Sequence, residues 1–257
     1  MNQAIAARFS DVYKAFGKNS LYAGLDLEIR RGEILTILGG SGSGKSVMLK
    51  MMLGLVRPDR GQVFIGDQEL SQLSERALLP VRRRVGMLFQ GGAMFDSMSV
   101  LDNVSYGLVE RGERDPEVLR ARVAEVLASV GMSGSEALMP SELSGGMKKR
   151  VALARAICGQ PEILLYDEPT TGLDPINVRR ISELIVALRQ QLGVTSVVVT
   201  HDLASAFLIS DRLAMLADRR IVAVAERAAF AASQEPAVRE FLGAMPQLVS
   251  TPKEASP

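Results

Sequence analysis

The sequence of 257 residues contains no tryptophan, one cysteine and one histidine, and aromatic residues make up only 5% of it. A lone Cys158 has no internal partner for a disulfide and offers no thiolate cluster, and a lone His201 excludes multi-histidine metal sites. An excess of one charge is missing too. The 30 basic and 29 acidic residues leave a net charge of +1, so no overall field draws the chain to nucleic acid or an anionic membrane. The short basic run Arg82-Arg83-Arg84 reads as a solvated face, and nucleic acid is not an expected partner. No uncharged stretch exceeds 12 residues, whereas a spanning helix takes ~20 apolar ones. The opening MNQAIAARFS has neither the basic region nor the long apolar run of a signal peptide, so the expected location is cytoplasmic. Carboxylates, lysine, hydroxyls and backbone amides are left to carry any catalysis.

Apolar residues form 47% of the chain, enough to bury a sizeable core and incompatible with a mainly disordered protein. Strand-like runs fall at 8–13, 25–29, 34–38, 63–65, 85–89, 163–166, 196–200, 213–217 and 221–224. Helical patterns lie mostly between the later strands. One spans 116–130, with Asp115 as N-cap, Pro116 in the first turn, Leu119, Val123, Val126, Leu127 and Val130 on one face, and Gly131 as the stop. Another spans 175–192, between Asp174 and Gly193, by the same signals. Early turn signals at Pro58-Asp59-Arg60-Gly61 and Gly66-Asp67 predict an antiparallel layer beside a parallel core. The expected fold class is α/β, with a mainly parallel core sheet, an antiparallel β side layer and a helical subdomain at about 91–155. Residues 1–242 are the expected folded unit, and 243–257, rich in Pro and Ser, an expected tail.

The run Gly39-Gly40-Ser41-Gly42-Ser43-Gly44-Lys45-Ser46 matches GxxxxGK[ST], follows the strand at 34–38 and precedes the apolar-faced stretch 47–53. A Gly/Ser-rich connector needs neither neighbour; a phosphate-binding P-loop needs both. Glycines let the backbone curl until several N–H groups and a helix N-terminus face one anion. Lys45 adds a point charge at the outer phosphates, and the Ser46 hydroxyl can ligate Mg2+. Such a site needs a second metal ligand and a group to handle the attacking water. Ile163-Leu164-Leu165-Tyr166-Asp167-Glu168 supplies both. Parallel core strands bring their C-terminal ends to one sheet edge, which sets Asp167 beside the Ser46 metal and Glu168 next to the γ-phosphate. His201 follows Val197-Val198-Val199-Thr200 and reaches the same edge, where an imidazole can bond a γ-phosphate. A lone histidine more often serves structure, and chain position alone leaves both roles open.

Leu143-Ser144-Gly145-Gly146-Met147-Lys148-Lys149-Arg150 opens a further helix, with an apolar face through Val151, Ala154 and Ile157, and so sets a second anion-receiving N-terminus. In their order along the chain these motifs resemble the ATP-binding cassette (ABC) ATPase family, over about residues 6–242. The resemblance implies a P-loop NTPase fold of the ABC type, ATP and Mg2+ as cofactors, and ATP hydrolysis. It implies that Phe16, in Lys14-Ala15-Phe16-Gly17, stacks on adenine, and that Gly39 to Ser46 with Val47 bind the nucleotide. Ser46, Gln90 and Asp167 become metal ligands, and Lys45, Gln90, Glu168 and His201 take catalytic roles, Glu168 as base and His201 as switch histidine. Asp174, in Gly172-Leu173-Asp174, matches the D-loop. Ser144, Gly145, Gly146 and Met147 match the signature that meets the γ-phosphate held by a second subunit, so a homodimer is implied. Met147 stands where the family usually has glutamine and cannot make its polar contacts.

The segments Met87-Leu88-Phe89-Gln90-Gly91-Gly92-Ala93-Met94-Phe95 and Leu143-Ser144-Gly145-Gly146-Met147 look like the Mce-associated branch of that family, the ATPases of Mla-type phospholipid transport. That resemblance implies a multi-helix membrane permease as partner, an Mce-domain protein, a small STAS-domain accessory subunit, and a peripheral place on the cytoplasmic face of the inner membrane. Met94, Phe95, Met98 and Val100 are expected to line an apolar groove for a short helix of the permease, or else to be core of the helical insert. An ABC ATPase of another importer, or one acting in repair or iron–sulfur assembly, shares the core motifs. The chromosome type is excluded, because only about 100 residues separate Lys45 from Ser144 and they carry no sustained heptads.

Overall fold

The computed structural model describes residues 4–243. The chain begins with β1 (Ile5–Phe16), β2 (Asn19–Arg30), β3 (Ile34–Leu38), α1 (Lys45–Met52), β4 (Arg60–Ile65) and β5 (Gln68–Glu69). It continues through α2 (Glu75–Arg83), β6 (Val85–Leu88), α3 (Val100–Glu110), α4 (Pro116–Ser129) and, after a 3-10 turn at Pro140–Glu142, α5 (Gly145–Cys158). Then come β7 (Ile163–Asp167), α6 (Pro175–Leu192), β8 (Thr195–Thr200), α7 (Leu203–Ile209), β9 (Arg212–Ala217), β10 (Arg220–Glu226), α8 (Arg227–Ala231) and α9 (Pro236–Gly243). The tail expected from 243 onward lies outside the described residues, apart from Gly243 itself, which ends α9. Among the described residues no helix is long and apolar enough to cross a membrane.

Two sheets form, as the alternation of patterns predicts. One has the order β2-β1-β4-β5, antiparallel throughout; the other runs β10-β9-β3-β8-β7-β6, parallel except for the β9–β10 hairpin. The parallel strands β3, β7 and β8 are buried at every position, which is why they read as continuous apolar runs rather than alternating ones. β2 alternates, since only one face of its layer meets the core. That core joins Phe9, Leu25 and Ile29 of the layer to Ile37, Met48 and Val199 around the parallel sheet. The opposite face of the parallel sheet is covered by α3, α4, α5 and α6, where Val104, Val123, Leu127, Val151 and Ile185 share one core with Leu164, Tyr166 and Val198. Fully burying such a side chain contributes roughly 1.5–3 kcal/mol.

Helix ends follow local chemistry. Asp115 accepts from Glu117 N at 2.8 Å and starts α4, and Gly193, at φ 65°, closes α6. Two differences from the sequence reading have local causes. β6 stops at Leu88, so Phe89 and Gln90 belong to a loop, which turns at once through the bond from Gly92 N to Phe89 O. Val100 is fully buried in the first turn of α3, so it belongs to the core and not to any groove; Met94 is partly buried, while Phe95 is exposed.

Candidate nucleotide-binding and catalytic site

The C-terminal ends of β3, β7 and β8 open on a cleft of about 760 Å³ lined by Phe16, Leu21, Gly40, Ser41, Gly42, Gly44, Lys45, Ser46, Val47, Gln90, Glu168, His201, Leu203 and Phe241. The floor is the loop between β3 and α1, and its glycines have different tasks. Gly44, at φ 106°, is a conformation an L side chain rarely adopts, and a Cβ there would meet Leu21 and Tyr22 at 2.9 Å. A Cβ on Gly39 would lie 2.7 Å from the Leu216 carbonyl oxygen, whereas Gly40 and Gly42 face open space. The Tyr22 hydroxyl donates to Gly44 O at 2.6 Å and ties the antiparallel layer to the loop; burial pushes its pKa above the ordinary tyrosine value.

Lys45 Nζ sits inside the curl of the loop, donating to Gly39 O at 2.8 Å and Gly40 O at 3.0 Å. Burial lowers its pKa from the ordinary lysine value, opposed by the negative charges of Glu168 and Asp167. Ser46 Oγ donates to Asp167 Oδ1 at 2.6 Å, which brings a hydroxyl and a carboxylate together across the sheet edge. Among the described residues no three or more His, Cys, Asp and Glu side chains are grouped so as to hold a metal ion, which leaves the Ser46 hydroxyl and one Asp167 carboxylate as the paired donors. That donor set suits Mg2+, which takes one or two protein oxygens and completes its octahedron with phosphate and water. Ser43 Oγ, on the same loop, is buried with no hydrogen-bond partner.

Glu168 is the most constrained residue of the site. Its φ is 47°, unusual for a residue with a side chain, while its N–H continues the ladder to Val199 O at 3.0 Å. The carboxylate accepts from Thr171 Oγ1 at 3.1 Å and Thr200 Oγ1 at 3.2 Å, and His201 Nδ1 lies 3.0 Å from it. With the His201 side chain 63% exposed, its other ring nitrogen remains available to the cleft. The two threonines were not singled out from sequence, although Thr200 stands beside His201. Nor were Leu203 and Phe241, which line the cleft from α7 and α9, or Lys149, buried and bonded to the main-chain oxygen of Gln90.

Ser144, Gly146 and Met147 line a different hollow, of about 430 Å³, with Gly131, Met132, Arg150, Asn177 and Arg180. Ser144 caps α5, accepting from Met147 N at 3.3 Å, and Gly145 begins that helix. Asp174 caps α6 through Ile176 N at 3.1 Å and Asn177 N at 3.0 Å and accepts from Asn177 Nδ2 at 2.6 Å; those bonds, the Asn177 backbone one foremost, lower its pKa. Asn177 in turn packs on Gly146, where a Cβ would lie 3.0 Å from its Oδ1. The residues expected to act on one phosphate chain thus divide between two separate surfaces of the chain.

The chain is similar to known proteins over most of its length. The family model for ABC transporters matches residues 22–171. The chain is 41% identical over 244 residues to the intermembrane phospholipid transport system ATP-binding protein MlaF of Escherichia coli K12, covering 94% of this chain and 91% of that protein. It is 38% identical over 242 residues to the probable ribonucleotide transport ATP-binding protein mkl of Mycobacterium leprae, covering 94% and 70%. A dimeric structure of the ATP-binding cassette MJ0796 with ADP and Pi superposes with a TM-score of 0.78 at 32% identity, over 86% of this chain and 98% of that one. The chain therefore belongs to the ABC transporter family, as one of its ATP-binding and ATP-hydrolysing cassettes.

Proposed function

We propose that this chain is the ATPase subunit of a phospholipid transporter and works as a homodimer in which each nucleotide lies between the cleft of one copy and Ser144, Gly145, Gly146 and Met147 of the other. The single observation that carries the catalytic reading is the Ser46–Asp167 hydrogen bond, which joins the phosphate loop to the strand end bearing Glu168. Phe16 stacks on the adenine, and Gly39, Gly40, Ser41, Gly42, Ser43, Gly44 and Val47 surround the phosphates with Lys45 among the outer ones. Ser46, Asp167 and Gln90 would hold Mg2+, which would supply positive charge to offset that of the phosphates. Glu168, fixed by its threonines, accepts a proton from water as the water oxygen attacks the γ-phosphorus; the bond to the β–γ bridging oxygen breaks, giving ADP and phosphate. His201, oriented by Glu168, donates to the γ-phosphate. Asp174 holds α6 against the signature of its own copy at the dimer interface.

Residues 1–242 form the nucleotide-binding unit in this reading, and about 91–155 its helical subdomain. A multi-helix permease docks at Phe95 and Met98 and keeps the dimer on the cytoplasmic face of the inner membrane, with an Mce-domain protein and a STAS-domain subunit completing the assembly. The likeness to MlaF over nearly the full length of both chains supports phospholipid as cargo. The likeness to mkl supports a ribonucleotide reading, over less of the relative's length. Reconstitution of the chain with its permease in vesicles decides between them: ATP-dependent phospholipid movement is expected, lost in Glu168→Gln. Nucleotide uptake without lipid movement contradicts the cargo. In the same samples Glu168→Gln is expected to retain ATP binding while hydrolysis falls by roughly a hundredfold or more.

A further inference from the structure

The loop from Phe89 to Ser99 connects the nucleotide cleft to the exposed Phe95, and side chains of two helices hold it by its backbone. Asn103 of α3, fully buried, accepts from Phe95 N at 2.8 Å and donates through Nδ2 to the carbonyls of Phe95, Met98 and Ser99, each at 3.0 Å. Arg155 of α5 donates to Ala93 O at 2.5 Å, and its guanidinium lies 4.9 Å from the Phe95 ring centroid. Lys149, also on α5, donates to Gln90 O. Between those last two holds the backbone turns sharply, with Gly92 at φ 78° and Ala93 at φ 48°.

Lys149 is the unexpected member. Its ordinary course is to extend along apolar surface and leave its ammonium in water, yet it is only 7% exposed. One main-chain carbonyl does not offset the desolvation of a charge. Burial lowers its pKa from the ordinary lysine value, opposed by the negative charges of Asp167 and Glu168, while its ammonium bonds the loop at Gln90 O. Lys149 lies within the second turn of the helix that Ser144 caps.

We propose that Lys149 is a positioning residue for ATP hydrolysis: by holding the Gln90 carbonyl it sets the direction in which the Gln90 side chain enters the cleft, and it ties that direction to α5, the helix whose first turn meets the second nucleotide. This rests on the reading of Gln90 as part of the catalytic site. The test is steady-state ATP hydrolysis by the full chain in its permease complex, with melting curves for each variant. Lys149→Met, similar in length but without a donor, is expected to lower kcat roughly tenfold to a hundredfold, the scale of a misplaced group. KM for ATP is expected to change less than about threefold, and Lys149→Arg to recover most of the loss. In a Gln90→Ala background Lys149→Met is expected to have no further effect, because the side chain it orients is gone. Should Lys149→Met not fold, Lys149→Gln carries the same expectations with a polar side chain too short to hold the carbonyl. A wild-type kcat in these variants, an equal loss in both backgrounds, or a change confined to KM overturns the role. Undiminished kcat in Gln90→Ala alone instead overturns the reading of Gln90, and with it the foundation of the proposal.

Discussion

At the scale of single residues the site stores cost and recovers it locally. Glu168 occupies a left-handed backbone conformation that costs about 1–3 kcal/mol for a residue with a side chain, and it persists because the backbone bond to Val199 and the threonine hydroxyls leave it no alternative. Lys45 is held where burial works against its charge and two carboxylates work for it. Lys45→Ala is therefore expected to weaken ATP binding roughly tenfold to a hundredfold, the scale of one charge-assisted hydrogen bond, in a nucleotide titration; unchanged affinity contradicts its place among the phosphates. Cys158, 3% exposed, is the chemical opposite of a reactive thiol, since burial pushes its pKa up to about 11. It is expected to resist thiol reagents in the native protein and to react at once in denaturant, and rapid native labelling contradicts this. The unfolded chain releases that proton first, so the contribution to stability is complete below pH 9 and is lost as the pH rises from 9 towards 11.

Secondary-structure elements were legible from sequence where one physical signal dominated. β3, β7 and β8 are mainly apolar because both faces are buried, and α6 carries its own cap at each end. The helix α2 is hidden by Pro80 in its interior and by a short buried face of Leu78 and Val81. β5, of two residues, has no pattern to read. In the site, the residues to which a motif gives a role were legible; Thr171, three residues after Glu168, Thr200, beside His201, and Lys149, inside the run 143–150, stand within or next to those motifs without any pattern that announces their bonds to Glu168 and Gln90, and Phe241 lines the cleft only through the packing of α9. The same distinction predicts behaviour on mutation. Val100→Asp puts an unpaired charge in a core position and is expected to destabilise by about 3 kcal/mol or more, read as a fallen melting temperature. Phe95→Asp, at a position 38% exposed, is expected to melt nearer the parent while losing fractionation with the permease; equal melting losses in both contradict a docking role. Gly44→Ala forces a side chain into φ 106° against Leu21 and Tyr22, and about 1–3 kcal/mol of strain is expected at the start of α1.

On the scale of the whole molecule, one sheet edge collects the phosphate loop, Asp167, Glu168 and His201, while the N-termini of α5 and α6 form a second surface around Gly146 and Asn177. Among the described residues the two helix starts, at Gly44 and Ser144, open on separate hollows, one with Lys45 and Glu168, the other with Gly146 and Asn177. In the proposed dimer each ATP site is the meeting of one such surface from each of two copies, and mixed dimers test that most directly. Lys45→Ala disables the cleft, and Ser144→Arg fills the signature surface with a bulky charge, so each homodimer is expected to be inactive. A mixed dimer pairs one doubly defective site with one site that has Lys45 from the second variant and Ser144 from the first. Single-turnover ATP cleavage by verified mixed dimers in complex with the permease is expected to rise well above either parent, with one nucleotide cleaved per dimer. Cleavage no greater than that of the parents, with ATP bound at the intact cleft, would contradict a site shared between two chains.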